Sequence, residues 1–209
     1  MSNTDPSAAS VPVENDDARA ERDRVRHEIL ESMFHLNIEG NLQPSADEIA
    51  KRANLESGAV FAYFDSIDDL YQAAITRQRN RMLPLVAIET PSTAPLAERL
   101  TALIEQRTRL FEAYGPVGVT ARLQAPFQPQ IRDELGRTRA FLTYQLKGLL
   151  ATELNAMVPH HSNNVLTAVD VLCSFESYQL LRVEQGLSVG ATSALLLSMT
   201  RVLLTSSPE

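Results

Sequence analysis

Residues 45–64, SADEIAKRANLESGAVFAYF, crowd two short helical patterns and a tight turn into one stretch, and few folds carry such a unit. Pro44 stops any helix from running in. Ser45 and Glu48 then form a capping box, in which a hydroxyl and a carboxylate three residues apart each satisfy an orphan backbone amide. Ile49, Ala50 and Ala53 share one face at helical spacing. Asn54 follows where the chain has to leave the helix, a position suited to a residue that tolerates left-handed φ/ψ. A second helix is therefore expected from Glu56 or Ser57, with Val60, Phe61 and Phe64 packing back and Ser57, Ala59 and Tyr63 pointing away. Two helices joined this way make a helix-turn-helix, whose second helix has the size of a DNA major groove.

Elsewhere the chain shows 3.6-residue periodicity and no sustained alternation with hairpin turns, so the expected fold class is all-α. A first helix spans about 18–38, with Val25, Ile29, Met33 and Leu36 on one stripe and Gly40 as its C-terminal cap. After the helix-turn-helix, Ser66 and Asp69 repeat the capping pattern and open a helix that runs to about Leu83, where Pro84 ends it. Residues 84–95, PLVAIETPSTAP, hold three prolines and suit a domain boundary. The chain thus divides into a tail over 1–17, a helix-turn-helix domain over 18–83 and a larger helical domain over 84–209.

In the larger domain a long helix opens at Pro95, carries Leu96, Leu100, Leu103, Ile104, Arg107, Phe111 and Tyr114 along one side, and closes at Gly115-Pro116. A short helix over 117–124 follows, then a long one from about Gln130 to Met157 that stops before Pro159. The helices expected over about 163–185 and from Ser188 onward are apolar around most of their circumference. That pattern suits a surface covered by a partner, with a symmetric homodimer through about 163–205 as the simplest case; a fully interior helix pair has the same pattern.

The chain is 209 residues long and 44% hydrophobic, enough to bury a substantial core. No apolar run reaches the roughly 18 residues of a membrane span. The opening MSNTDPSAASVPVENDD has neither the basic start nor the apolar core of a signal; it reads as a disordered tail. A single cysteine, Cys173, precludes an internal disulfide and fits a cytoplasmic setting. His160 and His161 are adjacent, and His27 and His35 do not stand at i, i+4, so no metal site and no cofactor are expected. Nor is there a phosphate-binding glycine loop, a nucleophile elbow or a catalytic carboxylate pair, and no enzymatic activity is expected.

Charge constrains any contact with nucleic acid. The net charge is −7, and within 18–83 nine basic residues face eleven acidic ones. Such a balance is poor for gripping phosphates. Arg22, Arg24 and Arg26 cluster in the first helix and can form one positive patch, although a solvated helix face has the same composition.

The larger domain carries Phe111, Tyr114, Arg122, Phe127, Phe141, Tyr144, Phe175 and Tyr178, and helical bundles with aromatic inner faces commonly leave a concave apolar site. Any one of these residues also reads as plain core. Glu176 and Arg182 interrupt an otherwise apolar helix and suit either the orientation of a polar ligand group or a surface position.

The residues from about 22 to 82 resemble the TetR family of bacterial transcriptional regulators. The match lies in Arg26-x-x-Ile29-Leu30, Phe34, Gly40, Ile49-Ala50, Ala53, Gly58, the aromatic set Phe61, Tyr63 and Phe64, and Leu70. Where the family commonly has Ser, Thr, Tyr and Lys, this chain has Glu56, Ala59, Phe61 and Ile67, which removes hydroxyls and a cation and adds a charge that phosphates repel. The resemblance implies a homodimeric regulator that binds a palindromic double-stranded DNA operator and is released by a small apolar or aromatic effector. Its implied DNA contacts fall on Arg22, Arg24, Arg26, Ser45, Ser57, Gly58, Ala59 and Tyr63. The alternative is a ligand-binding or protein-interaction module that keeps the fold and has lost useful DNA affinity.

Overall fold

The computed structural model of the protein describes residues 16–205, which contain no strand. Most of the expected tail lies outside the described residues, but Asp16 and Asp17 already open the first helix. The described residues form two compact units that divide between Leu70 and Tyr71. That division falls inside a helix, so the proline-bearing stretch 84–95 lies wholly within the second unit.

In the first unit, α1 (Asp16–Ile38) buries Val25, Ile29 and Met33, together with Ser32 and Asn37. It ends in a Schellman motif: Gly40 sits at φ +102°, its N–H bonds to Asn37 O at 3.2 Å, and Asn41 N bonds to Leu36 O at 3.0 Å. The next helix, α2 (Ala46–Arg52), starts on Ser45 with both halves of the capping box in place and buries Ile49 and Ala50. Asn54 takes the expected left-handed conformation at φ +57°.

The second helix of the motif differs from the expectation. It does not begin at Glu56 or Ser57 but is a single 3-10 turn over Ala59–Ala62. Gly58, at φ +80°, is the physical reason: a left-handed residue cannot lie inside a right-handed helix, so the helical stretch starts only after it. Val60 and Phe64 are buried as expected, whereas Phe61 is 53% exposed and does not pack back. A further helix, α3 (Ile67–Met82), opens with Asp69 N donating to Ser66 Oγ at 3.1 Å.

The second unit surrounds α4 (Leu96–Gln124), which joins the expected long and short helices across a kink at Gly115. With φ 11° and ψ −108°, Gly115 leaves helical geometry just before Pro116, whose ring and missing N–H favour such a break. Next come α5 (Pro129–Leu149) and α6 (Ala151–Ala156) in place of the one helix expected over 130–157. Arg99 marks the break, since its Nη1 takes the Leu149 carbonyl at 2.6 Å and its guanidinium forks onto Glu153.

The helix expected over 163–185 is likewise divided, into α7 (Pro159–Leu172) and α8 (Phe175–Gln179), the latter continuing as a π-helical turn over Leu180–Glu184. Ser174 is extended and caps α8 by accepting from Ser177 N at 3.2 Å. Gly186 at φ +66° then leads into α9 (Val189–Thr205). Packing runs from α4 to α5, α8 and α9, and from α7 to α5, α6 and α9. The core holds Leu100, Leu103, Leu146, Leu150, Val169 and Leu196, with Cys173 buried beside them and its thiol pushed up by that burial.

Candidate functional site

The turn over residues 57–63, where the sequence places the recognition helix, is anchored on α2. Asp47 is exposed on that helix, and its Oδ1 accepts from Ser57 Oγ at 2.6 Å and from Gly58 N at 3.3 Å. From the other side, Arg26 of α1 donates through Nη1 to the Tyr63 carbonyl and lies 4.1 Å from the centroid of the Phe64 ring. The turn is therefore held at its head by a carboxylate and at its tail by a guanidinium. Its outward side carries Ser57, Gly58, Phe61 and Ala62; Ala59 and Tyr63 are half-buried. Asp47 is absent from the sequence-based candidates, because an acidic residue in a first turn reads as a complement to the helix dipole.

Other candidates have intramolecular duties. The Ser45 hydroxyl donates to Glu48 Oε2 at 2.8 Å while accepting from Glu48 N, and the Ser45 amide bond holds the Glu48 carboxyl below the usual carboxylate range. Arg24 is tied to Glu21 and Glu28, and Arg52 forks onto Glu39. Of the three arginines expected to form one positive patch, Arg24 is neutralised by two glutamates and Arg26 is bound into the fold. Arg22 is exposed, as is Lys51.

In the second unit the structure gathers four of the seven aromatic candidates. Phe111, Tyr114, Phe175 and Tyr178 form a cluster, with ring centroids at 5.6 Å for Phe111–Phe175 and Phe111–Tyr178 and 5.4 Å for Tyr114–Phe175. Gly118 permits this closeness, since a Cβ there would stand 2.5 Å from Phe175 Cζ and 2.6 Å from Tyr114 Cδ1. Arg122 closes one side, lying 4.2 Å from the Phe175 centroid and donating to Glu176 Oε1 at 2.6 Å. On another side the Tyr178 hydroxyl donates to Glu112 at 2.7 Å, and burial with this bond pushes the phenol up to about 12. Arg182 does not face the rings as a free cation: it pairs with Glu112 and donates to Leu187 O. Phe127, Phe141 and Tyr144 are 58%, 47% and 78% exposed and stand outside the cluster.

The described residues thus combine a helix-turn-helix unit with a larger helical unit, and both have counterparts among known proteins. Residues 42–74 match the family model described as bacterial regulatory proteins, tetR family. Three solved structures share the fold at low identity. A protein from Rhodococcus sp. assigned to the TetR family is 16% identical with a TM-score of 0.63, over 87% of this chain and 100% of that one. A tetR-family transcriptional regulator from Streptomyces coelicolor is 18% identical with a TM-score of 0.61, over 85% and 81%. A TetR-like transcriptional regulator from Rhodococcus sp. RHA1 is 18% identical with a TM-score of 0.60, over 90% and 98%. No curated protein matches the chain by sequence. Residues 42–74 are thus similar to the helix-turn-helix of the tetR family, and the chain shares its fold with these three solved structures.

Proposed function

We propose that the protein is a cytoplasmic, homodimeric transcriptional regulator, in the sense of a repressor, that binds a palindromic operator and is released by a small apolar or aromatic ligand. The observation that carries this reading is the recognition turn, fixed by Asp47 and Arg26 so that Ser57, Gly58 and Phe61 face outward. In a dimer two such turns fit successive major grooves, and a ligand in the larger unit favours a different spacing. By reciprocity the operator weakens the ligand as much as the ligand weakens the operator.

Homodimerisation is supported by apolar side chains left uncovered on the last helices: Val171, Leu180, Val183, Met199 and Val202 are 44–70% exposed. On α9 the inner stripe is Thr192, Leu196, Thr200 and Leu204, so this helix turns part of its apolar surface outward. The aromatic cluster around Phe111 and Phe175 supports the ligand site.

One observation favours a second reading, a module that keeps the fold without useful DNA affinity: Arg24, Arg26 and Arg52 are engaged within the protein, and Glu56 is exposed. Footprinting on the DNA flanking the gene across a salt series separates the two. A discrete protected palindrome supports the regulator; diffuse, salt-labile retention supports the module.

A further inference from the structure

Arg107 is 2% exposed in the middle of α4, on the stripe that continues one turn on to Phe111. Its guanidinium is met by neutral acceptors. Nη1 donates to Gln106 Oε1 at 2.5 Å and to Gln145 Oε1 at 2.9 Å, and Nη2 donates to the Leu142 carbonyl at 3.1 Å. Among the described residues no carboxylate lies within ion-pair distance of it. The acidic group that faces it, Asp170, is itself paired with Arg139 at 3.0 Å and accepts from Thr143 at 2.8 Å; the Cys173 thiol is the other titratable neighbour. A buried cation without its own anion is costly to keep, and an arginine fork matches an incoming carboxylate or sulfonate.

We propose that Arg107 anchors the anionic end of the effector, which is therefore an organic acid with an apolar or aromatic body lying along Phe111 and the cluster beyond it. This rests on the reading of that cluster as the ligand site. The same network supplies the response. Gln106 Nε2 donates to Leu85 O at 2.8 Å and Gln145 Nε2 donates to Val86 O at 2.7 Å, so both amides bridge Arg107 to the segment that follows α3. An anion that draws Nη1 toward itself competes with both glutamine oxygens for their donor. Their reorientation then frees the Leu85 and Val86 carbonyls.

The test uses two fluorescent probes on the full chain: the anionic 1-anilinonaphthalene-8-sulfonate and N-phenyl-1-naphthylamine, the same ring system without the acid. The expected result is saturable binding with the anion at least about tenfold tighter, the scale of a charge-assisted bond. Arg107→Gln should bring the two affinities together without altering that of the neutral probe, and Arg107→Lys, which keeps the cation, should preserve the preference. Equal affinities in the unaltered protein, or a preference that survives Arg107→Gln in a folded variant, would overturn the anchor. If Arg107→Gln does not fold, loss of the preference in a folded Arg107→Lys does the same. When equal affinities both drop on Phe111→Ala, the aromatic site stands without the anchor; when neither probe binds, both proposals fall.

Discussion

The Ser57 hydroxyl donates to the Asp47 carboxylate across 2.6 Å, so one side chain of α2 fixes the head of the recognition turn. Asp47→Ala frees both Ser57 and the Gly58 amide. Operator affinity should fall roughly tenfold, the scale of a hydrogen bond to a charged group, with the helical content unchanged. Asp47→Asn keeps an acceptor oxygen and should keep most of the affinity. Fluorescence anisotropy with labelled operator measures both, and an Ala variant that binds like the unaltered protein would show that the turn holds itself.

Phe61 and Phe64 are three residues apart and make opposite predictions. Phe64 is 1% exposed and Phe61 53%. Phe64→Ala should therefore cost about 3–5 kcal/mol of unfolding free energy. Phe61→Ala should stay within about 0.5 kcal/mol and act on DNA binding instead. Tyr63→Phe, which removes a phenol that makes no hydrogen bond among the described residues, should weaken the operator moderately with stability unchanged. Urea melts beside operator titrations resolve the three.

Gly118→Ala sets two effects against each other. An alanine inside a helix gains up to about 1 kcal/mol over glycine. Its methyl would stand 2.5 Å from a Phe175 ring that is itself buried against Phe111 and Tyr114, and such overpacking costs about 1–3 kcal/mol. The contact is too short to relax by rotating one free side chain, so the net effect should be destabilising. A raised melting temperature would show that the rings have room to move.

Arg99 and Glu153 give a pH dependence of known sign. The Arg99 hydrogen bonds hold the Glu153 carboxyl below its ordinary 4.5. Stability from this pair is therefore complete above about that pH and is lost as pH falls through the lower folded value. Arg99→Met leaves a largely buried carboxylate alone and should cost roughly 3 kcal/mol at neutral pH. The gap should narrow between about pH 5 and 3, as the stranded carboxyl takes up its proton. Denaturant midpoints across that range measure the narrowing, and a constant gap would mean that Glu153 does not titrate with the pair.

Caps and glycines were legible in the sequence because their signals are local: Ser45 with Glu48, Asn54 and Gly40 stand where the residue types place them. The breaks at Leu150 and Ser174 were not. Nothing near Leu150 forbids a helix, and what takes the Leu149 carbonyl is Arg99, fifty residues earlier in the chain. Periodicity put Arg107 on the apolar stripe of α4 without revealing its burial, because a lone arginine at such a position also fits a side chain that reaches solvent. Among the aromatic candidates, the four that cluster are joined by tertiary packing; Phe127, Phe141 and Tyr144 carry the same local signal and remain outside.

The most direct measurement of the central claim is selection of bound duplexes from a random pool, followed by sequencing. Two turns presented by a twofold dimer should enrich a palindrome whose half-sites lie about 34 Å, one helical turn, apart, and Asp47→Ala should enrich the same sequence more weakly. A pool that shows no enrichment, or that yields only a single asymmetric half-site, would contradict the account.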